Sequence, residues 1–440
     1  MTLIDLGYAD AGAAPQRPPV DRRLTRRVAA ALVVLLCLTT QANSVPPTPR
    51  GLRLLWSVIG AREGDVAVVG DAVLTVGGPE LRTLSAYGLR DGRPRWSHEM
   101  PDPVPYIDAA PDSRVLLLPA GPGSVPAPGG SADFYTRTIA LDAATGAELW
   151  RSPGSGNGWA VTGTALLEER DPGNAAVTRL RVVRLSDGAT VWSRDTPGVQ
   201  QWTLVGADPA HPDRVALIDG DGAVWVLRLA DGTEAVSGDI AWDPGRPENG
   251  DHVTLYAHDD ALYVLQTGPD RSAATAYSDR SLSQLWSVNQ PSSGGGVYSC
   301  GAVLCLGGGS ELVAYDWETG AVRWRVQDKE YAIAVGGGLL LTENRDPSAR
   351  QVLLDVESGR ELANLGKGRA PVSFDDSALL MLGSSESALG RTTVTQLDPR
   401  TGETFPLGTI EAVADAGCEL TERLLLCHHA AGKITVTAVG

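Results

Sequence analysis

The stretch LDAATGAELW, residues 141–150, holds the end of one strand, a tight turn at Thr145 and Gly146, and a second strand that ends on Trp150. A two-residue hairpin turn needs positive backbone φ angles, which glycine adopts without strain. The same spacing of four residues between a turn glycine and a tryptophan recurs at Gly92 and Trp96, Gly146 and Trp150, Gly188 and Trp192, and Gly320 and Trp324. The recurrence predicts that this hairpin is the repeating unit of the fold.

Four further hairpins depart from the pattern. Leu282 takes the place of glycine before Trp286, and the turns at Gly232, Gly359 and Gly402 have no tryptophan after them. Two strand-like runs precede each hairpin, so the unit comprises four short strands and no helix. A tryptophan at one repeated place is expected to pack neighbouring units together, and we assign it a structural role.

Hairpins of the form LDxxTGxxxW resemble the repeat signature of the PQQ-like, or quinoprotein-like, β-propeller family. The resemblance covers residues 52–440 and implies an all-β propeller of four-stranded blades. It also implies a membrane-anchored bacterial protein, and the near-absence of lysine favours a biased, actinobacterial genome as its source. Similar proteins include quinone-dependent dehydrogenases and an outer-membrane assembly lipoprotein, so the resemblance fixes no activity.

The two ends of the propeller complete each other. Residues 52–58 read as a closing strand that carries Trp56, whereas the unit that ends at residues 433–439 lacks a fourth strand. Strands from both termini in one blade would close the ring and remove its open edges. This composite unit brings the count to nine, but the family resemblance implies eight. We predict eight blades with one degenerate unit displaced, and keep seven or nine as alternatives.

The N-terminus predicts export. Residues 1–27 are polar and arginine-rich, and an apolar run follows from Val28 to Leu38. Basic residues stay on the cytoplasmic side, so the chain after this run is expected to cross the membrane. We predict a transmembrane helix at 28–45, a linker at 46–51 and the propeller at 52–440, on the extracytoplasmic side of the cell membrane. A cleaved signal helix and a secreted protein are the alternatives.

Four cysteines form two pairs, and each pair lies in the first two strands of one unit. Their even number, their equivalent placement and the predicted export favour disulfides between Cys300 and Cys305 and between Cys418 and Cys427. Free buried thiols are the alternative, because the bond requires a restricted Cα separation that the sequence does not show.

The family resemblance also defines what a quinone-dependent dehydrogenase would need: adjacent cysteines over the cofactor, a calcium site and a catalytic aspartate. No two cysteines are adjacent in this chain, so we assign no catalytic residue and expect no cofactor. Pyrroloquinoline quinone with Ca²⁺ is kept as the alternative. His428 and His429 beside Cys427 suggest a metal site, but consecutive residues of a strand point to opposite faces, and we assign no metal ligand.

Charge and composition limit the classes of partner that the protein can bind. The chain has 37 basic and 53 acidic residues and a net charge of −16, which excludes nucleic acid as a partner. Residues 120–135, rich in proline and glycine, are predicted to be a mobile surface loop. We expect a membrane-tethered binding scaffold for a cell-envelope protein or a small ligand. The alternative is a quinoprotein dehydrogenase or another small-molecule-binding propeller enzyme.

Overall fold

The structure is a computed structural model, and the segments that it describes are 51–60, 66–109, 114–127, 130–161, 163–206, 211–243, 252–269, 271–291, 296–308, 311–329, 331–335, 338–343, 351–366, 372–373, 379–384, 390–398, 403–429 and 432–440. The predicted cytoplasmic segment, the predicted membrane helix and most of the linker, together residues 1–50, lie outside them. Within the described segments no helix is long and apolar enough to cross a membrane.

The described residues form nine β-sheets, which we call blades 1 to 9 in chain order. The prediction of eight blades was therefore wrong. Each of the eight hairpins belongs to a sheet of its own, and the two termini together build a ninth, so no unit is displaced. The described part of the chain contains no α-helix, and its one helical element is the 3₁₀ turn Pro79–Leu81.

Blades 1 to 3 are antiparallel four-stranded sheets in which each strand pairs with the next along the chain. Blade 1 consists of β2 (Val66–Val69), β3 (Ala72–Gly77), β4 (Thr83–Gly88) and β5 (Pro94–Glu99). Blade 2 consists of β6 (Asp108–Ala109), β7 (Val115–Ala127), β8 (Gly130–Asp142) and β9 (Glu148–Pro153). Blade 3 consists of β10 (Ser155–Val161), β11 (Thr164–Arg170), β12 (Val177–Arg184) and β13 (Thr190–Asp195).

Blades 4 to 6 repeat the same order. Blade 4 consists of β14 (Val199–Val205), β15 (Arg214–Asp219), β16 (Ala223–Arg228) and β17 (Glu234–Asp239). Blade 5 consists of β18 (His252–His258), β19 (Ala261–Thr267), β20 (Arg271–Ser278) and β21 (Gln284–Pro291). Blade 6 consists of β22 (Val297–Ser299), β23 (Leu304–Gly308), β24 (Glu311–Tyr315) and β25 (Val322–Gln327).

The last three blades include the junction of the two termini. Blade 7 consists of β26 (Tyr331–Ala334), β27 (Leu339–Glu343), β28 (Gln351–Asp355) and β29 (Glu361–Gly366). Blade 8 consists of β31 (Leu379–Ser384), β32 (Arg391–Leu397) and β33 (Thr404–Glu411), and the short β30 (Val372–Ser373) pairs in parallel with β34 of the next sheet. Blade 9 consists of β34 (Val413–Thr421), β35 (Leu424–His429), β36 (Lys433–Val439) and β1 (Leu52–Ile59).

The core lies between the blades. Among the described side chains, nine apolar clusters each join two consecutive sheets. The last of them packs Val73 and Leu89 of blade 1 against Leu424 and Val436 of blade 9. Because β1 pairs antiparallel with β36, the two termini close the ring as the sequence predicted. First strands of neighbouring blades contact each other, β2 with β6 and β14 with β18, so they form the inner side of the ring.

The repeated tryptophans link each blade to the next. Each indole Nε1–H donates a hydrogen bond to the carbonyl oxygen three residues before the turn position of the following hairpin. The pairs are Trp56 to Leu89 (2.9 Å), Trp96 to Ala143 (3.1 Å), Trp150 to Leu185 (2.7 Å), Trp192 to Leu229 (2.7 Å), Trp286 to Trp317 (3.0 Å) and Trp324 to Val356 (2.7 Å). We call each tryptophan and the next blade's turn a latch.

The turn glycines complete the latches. Gly188 has a φ of +68°, and a Cβ added to it would lie 2.8 Å from the Trp150 ring. The same close approach occurs between Gly92 and Trp56, Gly146 and Trp96, Gly232 and Trp192, Gly320 and Trp286, and Gly359 and Trp324. Glycine is thus required twice, by the positive φ and by the indole of the preceding blade. The tryptophan that matters to a turn is therefore the one in the blade before it.

The interface between blades 4 and 5, which we call the 4–5 seam, lacks this latch. Val236 stands in blade 4 where the other units have tryptophan, and Leu282 stands in the turn of blade 5, with a φ of +55°. Both side chains join one apolar cluster of the two blades. Asp279 lies three residues before this turn position, where the other units supply the carbonyl that accepts the indole hydrogen bond. Its side chain is buried and accepts a hydrogen bond from Arg214 of blade 4. An ion pair and an aliphatic contact replace the indole here.

Residues 120–135 differ from the prediction of a loop. β7 and β8 continue as one antiparallel hairpin out to the pair Ala127 and Gly130. The hydroxyl of Thr136 donates to the carbonyl of Gly121 (2.9 Å), and the N–H of Gly121 donates to Asp102 (2.9 Å). The insertion therefore lengthens a hairpin of blade 2.

Candidate functional site

A cavity of about 470 Å³ lies at the inner side of blades 3, 4 and 5. Its walls come from the end of β11, from β14 and from β18, together with the turn residue Asp259. The lining residues on which the site depends are Glu168, Arg170, Gln201, Trp202, Tyr256 and His258. Because three consecutive blades contribute, the packing of blade 3 on blade 4 and of blade 4 on blade 5 holds these side chains in place.

A buried carboxylate forms one wall. The Glu168 side chain is 6% exposed. Arg170 donates from Nε to Oε1 (2.8 Å) and from Nη2 to Oε2 (3.0 Å), and the Trp202 indole N–H donates to Oε2 (2.8 Å). The bidentate pair and the indole bond satisfy both oxygens, as a buried charge requires. Arg170 is fixed in turn by a bond from Nη1 to the Ala175 carbonyl (2.8 Å).

An amide connects the inner strands of blades 4 and 5. Gln201 on β14 donates from Nε2 to the Val253 carbonyl (2.6 Å) and accepts at Oε1 from the Leu255 N–H (2.8 Å). Val253 and Leu255 belong to β18, and the two bonds lie on its free edge. This amide joins the blades on the inner side of the 4–5 seam.

Aromatic rings form the third wall. His258 stacks on Trp317 of blade 6, with ring centroids 4.3 Å apart, and Tyr256 lies parallel to the same indole at 5.8 Å. Burial lowers the pKa of His258, and the nearby Asp259 carboxylate opposes this effect only in part. The imidazole therefore favours its neutral form. The Trp317 indole N–H donates to the Gly301 carbonyl (3.0 Å), which holds the stack in position.

Three polar side chains of the wall remain available to a ligand. Gln200, Thr203 and Thr254 line the cavity, and none of them makes a side-chain hydrogen bond to another described residue. Together they offer an amide and two hydroxyl groups, which both donate and accept. The wall thus combines fixed internal pairs with groups able to bind a polar ligand.

The residues of this cavity do not fit a calcium–quinone site. Ca²⁺ takes six to eight oxygen ligands. The cavity lining contains two carboxylates, Glu168 and Asp259. Both oxygens of Glu168 are already bonded to a guanidinium or an indole. A guanidinium this close to Glu168 would also repel the cation. Within the described part of the chain, no three His, Cys, Asp or Glu groups come together as metal ligands.

The predicted site residues lie elsewhere in the ring. Disulfide bonds join Cys300 to Cys305 in blade 6 and Cys418 to Cys427 across β34 and β35 of blade 9. His429 is buried, with Nδ1 at 2.9 Å from the Ala412 carbonyl and Nε2 at 2.8 Å from the Thr435 hydroxyl. The glycines and tryptophans of the repeat form the latches, apart from the cavity. Sequence reasoning assigned no residue of the cavity.

The family model and one solved structure agree with the propeller fold. The matching family model is described as outer membrane protein assembly factor BamB, and it covers residues 82–255 and 270–412. A crystal structure of the eukaryotic initiation factor shares 9% identity over 87% of this chain and 90% of that chain, with a TM-score of 0.53. BamB from Moraxella catarrhalis shares 15% identity over 88% of this chain and 99% of that one, with a TM-score of 0.47.

A europium-containing methanol dehydrogenase shares 12% identity over 88% of this chain and 93% of that one, with a TM-score of 0.43. A comparison with curated proteins finds no match. At 9% identity, the similarity to the initiation factor shows the fold alone.

Proposed function

We propose a function from one established premise: this chain belongs to the PQQ-like β-propeller family whose model is described as outer membrane protein assembly factor BamB. We infer that the propeller is a binding scaffold for a protein of the cell envelope. Residues 28–45 tether it to the cell membrane, and the ring faces the extracytoplasmic side. The observation that carries this proposal is the preformed cavity of blades 3 to 5.

The cavity supports binding because its walls are already ordered. Glu168 is fixed by Arg170 and Trp202, and Gln201 is fixed by β18. A ligand that enters a preformed site loses less affinity to the ordering of side chains. Gln200, Thr203 and Thr254 can then exchange hydrogen bonds with the amides and carbonyls of a protein ligand.

The disulfides support the proposed compartment. The disulfides Cys300–Cys305 and Cys418–Cys427 each cross-link a hairpin within one blade. Such bonds persist in oxidising environments and are rare in the cytosol. They are therefore consistent with a propeller that has been exported past the arginine-rich N-terminus.

Site-specific photo-crosslinking in intact cells tests the scaffold. A photoreactive amino acid replaces Thr203 in the cavity or, as the matched control, Leu149 on the exposed outer strand of blade 2. We expect one envelope protein, identified by mass spectrometry, to crosslink from position 203 and not from 149. Crosslinks of equal yield from both positions, or none from 203, would contradict binding at the cavity.

Calorimetric titration of the full chain with pyrroloquinoline quinone and Ca²⁺ tests the alternative. The donor set around Glu168 predicts no binding heat. Stoichiometric binding would favour a quinoprotein dehydrogenase and overturn the scaffold as the main function.

A further inference from the structure

The free edge of β18 carries backbone N–H and C=O groups that point away from β19. β18 and β19 form a hairpin in which His258 pairs with Ala261 across the Asp259–Asp260 turn. In an antiparallel pair, alternate residues direct their N–H and C=O toward the partner strand, and the others direct them away. The Gln201 amide bonds Val253 and Leu255, so these residues belong to the outward set. Ala257, two residues further on, belongs to the same set.

Gln201 stands in for a strand residue. Its amide donates to the carbonyl of Val253 and accepts from the N–H of Leu255, two residues later. A residue of a parallel neighbouring strand makes the same two bonds. The side chain thus reproduces one rung of a ladder along the β18 edge. The next rung would use the carbonyl of Leu255 and the N–H of Ala257, and both residues line the cavity.

The remaining walls suit an extended chain. Trp202 and Tyr256 offer ring surface, while Gln200 and Thr203 offer hydrogen-bonding groups. Peptides that add to a sheet edge gain affinity from main-chain bonds and specificity from pockets for alternate side chains. A cavity of about 470 Å³ admits a short stretch of such a peptide.

We propose that the cavity binds an extended peptide segment of the partner protein by strand addition to the inner edge of β18. The Gln201 amide is the first rung, and Leu255 C=O with Ala257 N–H is the second. This inference rests on the proposed scaffold function and names the chemistry that its site recognises.

Saturation-transfer NMR on the full chain in detergent tests strand addition. The probe is the capped hexapeptide acetyl-Thr-Val-Thr-Val-Thr-Val-amide, and its control is the same peptide methylated at every backbone nitrogen. We expect transfer to the first peptide and at least a tenfold weaker signal for the methylated one. Equal signals from both would overturn the proposal, because N-methylation removes the backbone donors and leaves the side chains.

Two variants locate the edge. Ala257→Pro removes an N–H that points away from β19 and is expected to reduce the peptide signal at least fivefold, while Ala257→Val keeps that N–H and the signal. Gln201→Leu removes the internal rung, so the peptide should take its place and bind at least as well. Loss of binding in Gln201→Leu, with retention in Ala257→Pro, would contradict strand addition.

These experiments distinguish a failure of strand addition from a failure of the scaffold function. If neither peptide gives a signal at millimolar concentration while position 203 still crosslinks to one envelope protein, strand addition is wrong and the scaffold stands. If the crosslink is absent as well, both proposals fail.

Discussion

At the scale of single residues, the fold depends on a contact between neighbouring repeats. The sequence places glycine and tryptophan four residues apart in one hairpin, and this spacing predicted the turn and a packing role for the ring. In the structure the glycine lies against the tryptophan of the preceding blade. The sequence did not show this partner because the two residues lie about forty positions apart, and no single hairpin contains both.

Trp150→Ala removes one of the two best-buried latch tryptophans, which both make a short hydrogen bond. The ring is 7% exposed and donates to Leu185 at 2.7 Å. We expect a loss of about 3–5 kcal/mol in the free energy of unfolding, measured by denaturant titration. Leu149→Ala, the exposed neighbour, should cost less than about 0.5 kcal/mol. A loss below about 1 kcal/mol for Trp150→Ala would refute the packing role.

Gly188→Ala tests the close approach separately from backbone strain. Its φ is +68° and its Cβ would meet the Trp150 ring at 2.8 Å, whereas Gly70 has a φ of +58° and nothing within 4 Å. Both alanine variants bear the cost of a positive φ, roughly 1 kcal/mol. We expect Gly188→Ala to lower the melting temperature clearly further than Gly70→Ala does. Equal shifts would mean that the indole exerts no constraint.

His258 predicts a pH dependence. Burial lowers its folded-state pKa below the unfolded value of about 6.5, so the unfolded chain binds the proton more readily. The associated stability is present above pH 6.5 and is lost as the pH falls through the folded pKa. Between pH 7.5 and pH 5, the wild type should therefore lose more unfolding free energy than the variant His258→Phe. This variant keeps a ring against Trp317. Parallel pH profiles would contradict this.

At the scale of strands and blades, period and turn chemistry predicted the four-stranded unit. The count of eight came from the family resemblance, and the termini build a full extra blade instead. The cavity was beyond the sequence because Glu168, Trp202 and His258 come from three different blades and share no motif. Only the packing of consecutive blades brings them together.

The 4–5 seam offers a test of the latch as a unit. Val236→Trp alone should clash with Leu282, and Leu282→Gly alone should leave a cavity, so each should destabilise the protein. Together they restore the indole-over-glycine contact found at six other interfaces of the described chain. We expect a favourable coupling of about 1–3 kcal/mol in a double-mutant cycle measured by chemical denaturation. Additive losses would show that a latch is not transferable.

The same seam carries a cost that the acceptor positions of the six latches avoid. Asp279 is buried where the aligned residues are apolar, and burial raises its pKa although Arg214 is bonded to it. A buried ion pair is often no more stable than an apolar replacement. The cavity lies at the inner side of this seam, so the candidate site coincides with an interface that lacks the latch.

At the scale of the whole propeller, closure depends on the pairing of β1 with β36. Arg53 and Ala438 are direct partners in that ladder; Arg53 is exposed, and Ala438 is half-buried at the margin of the apolar cluster of blades 9 and 1. The variant Arg53→Cys with Ala438→Cys should form a disulfide in the folded protein and raise its denaturation midpoint. Peptide mapping by mass spectrometry detects the bond, and each single variant is the control. Absence of the bond in folded, oxidised protein would contradict the closed ring.

The proposed function rests on the binding of a protein partner at the cavity of blades 3 to 5. Hydrogen–deuterium exchange, compared between the free chain and the chain purified with its crosslinked partner, tests it directly. We predict protection in β14 and β18, at residues 199–205 and 252–258, and unchanged exchange in the outer strands of the same blades. Protection confined to the outer strands, with the two inner strands unchanged, would contradict it.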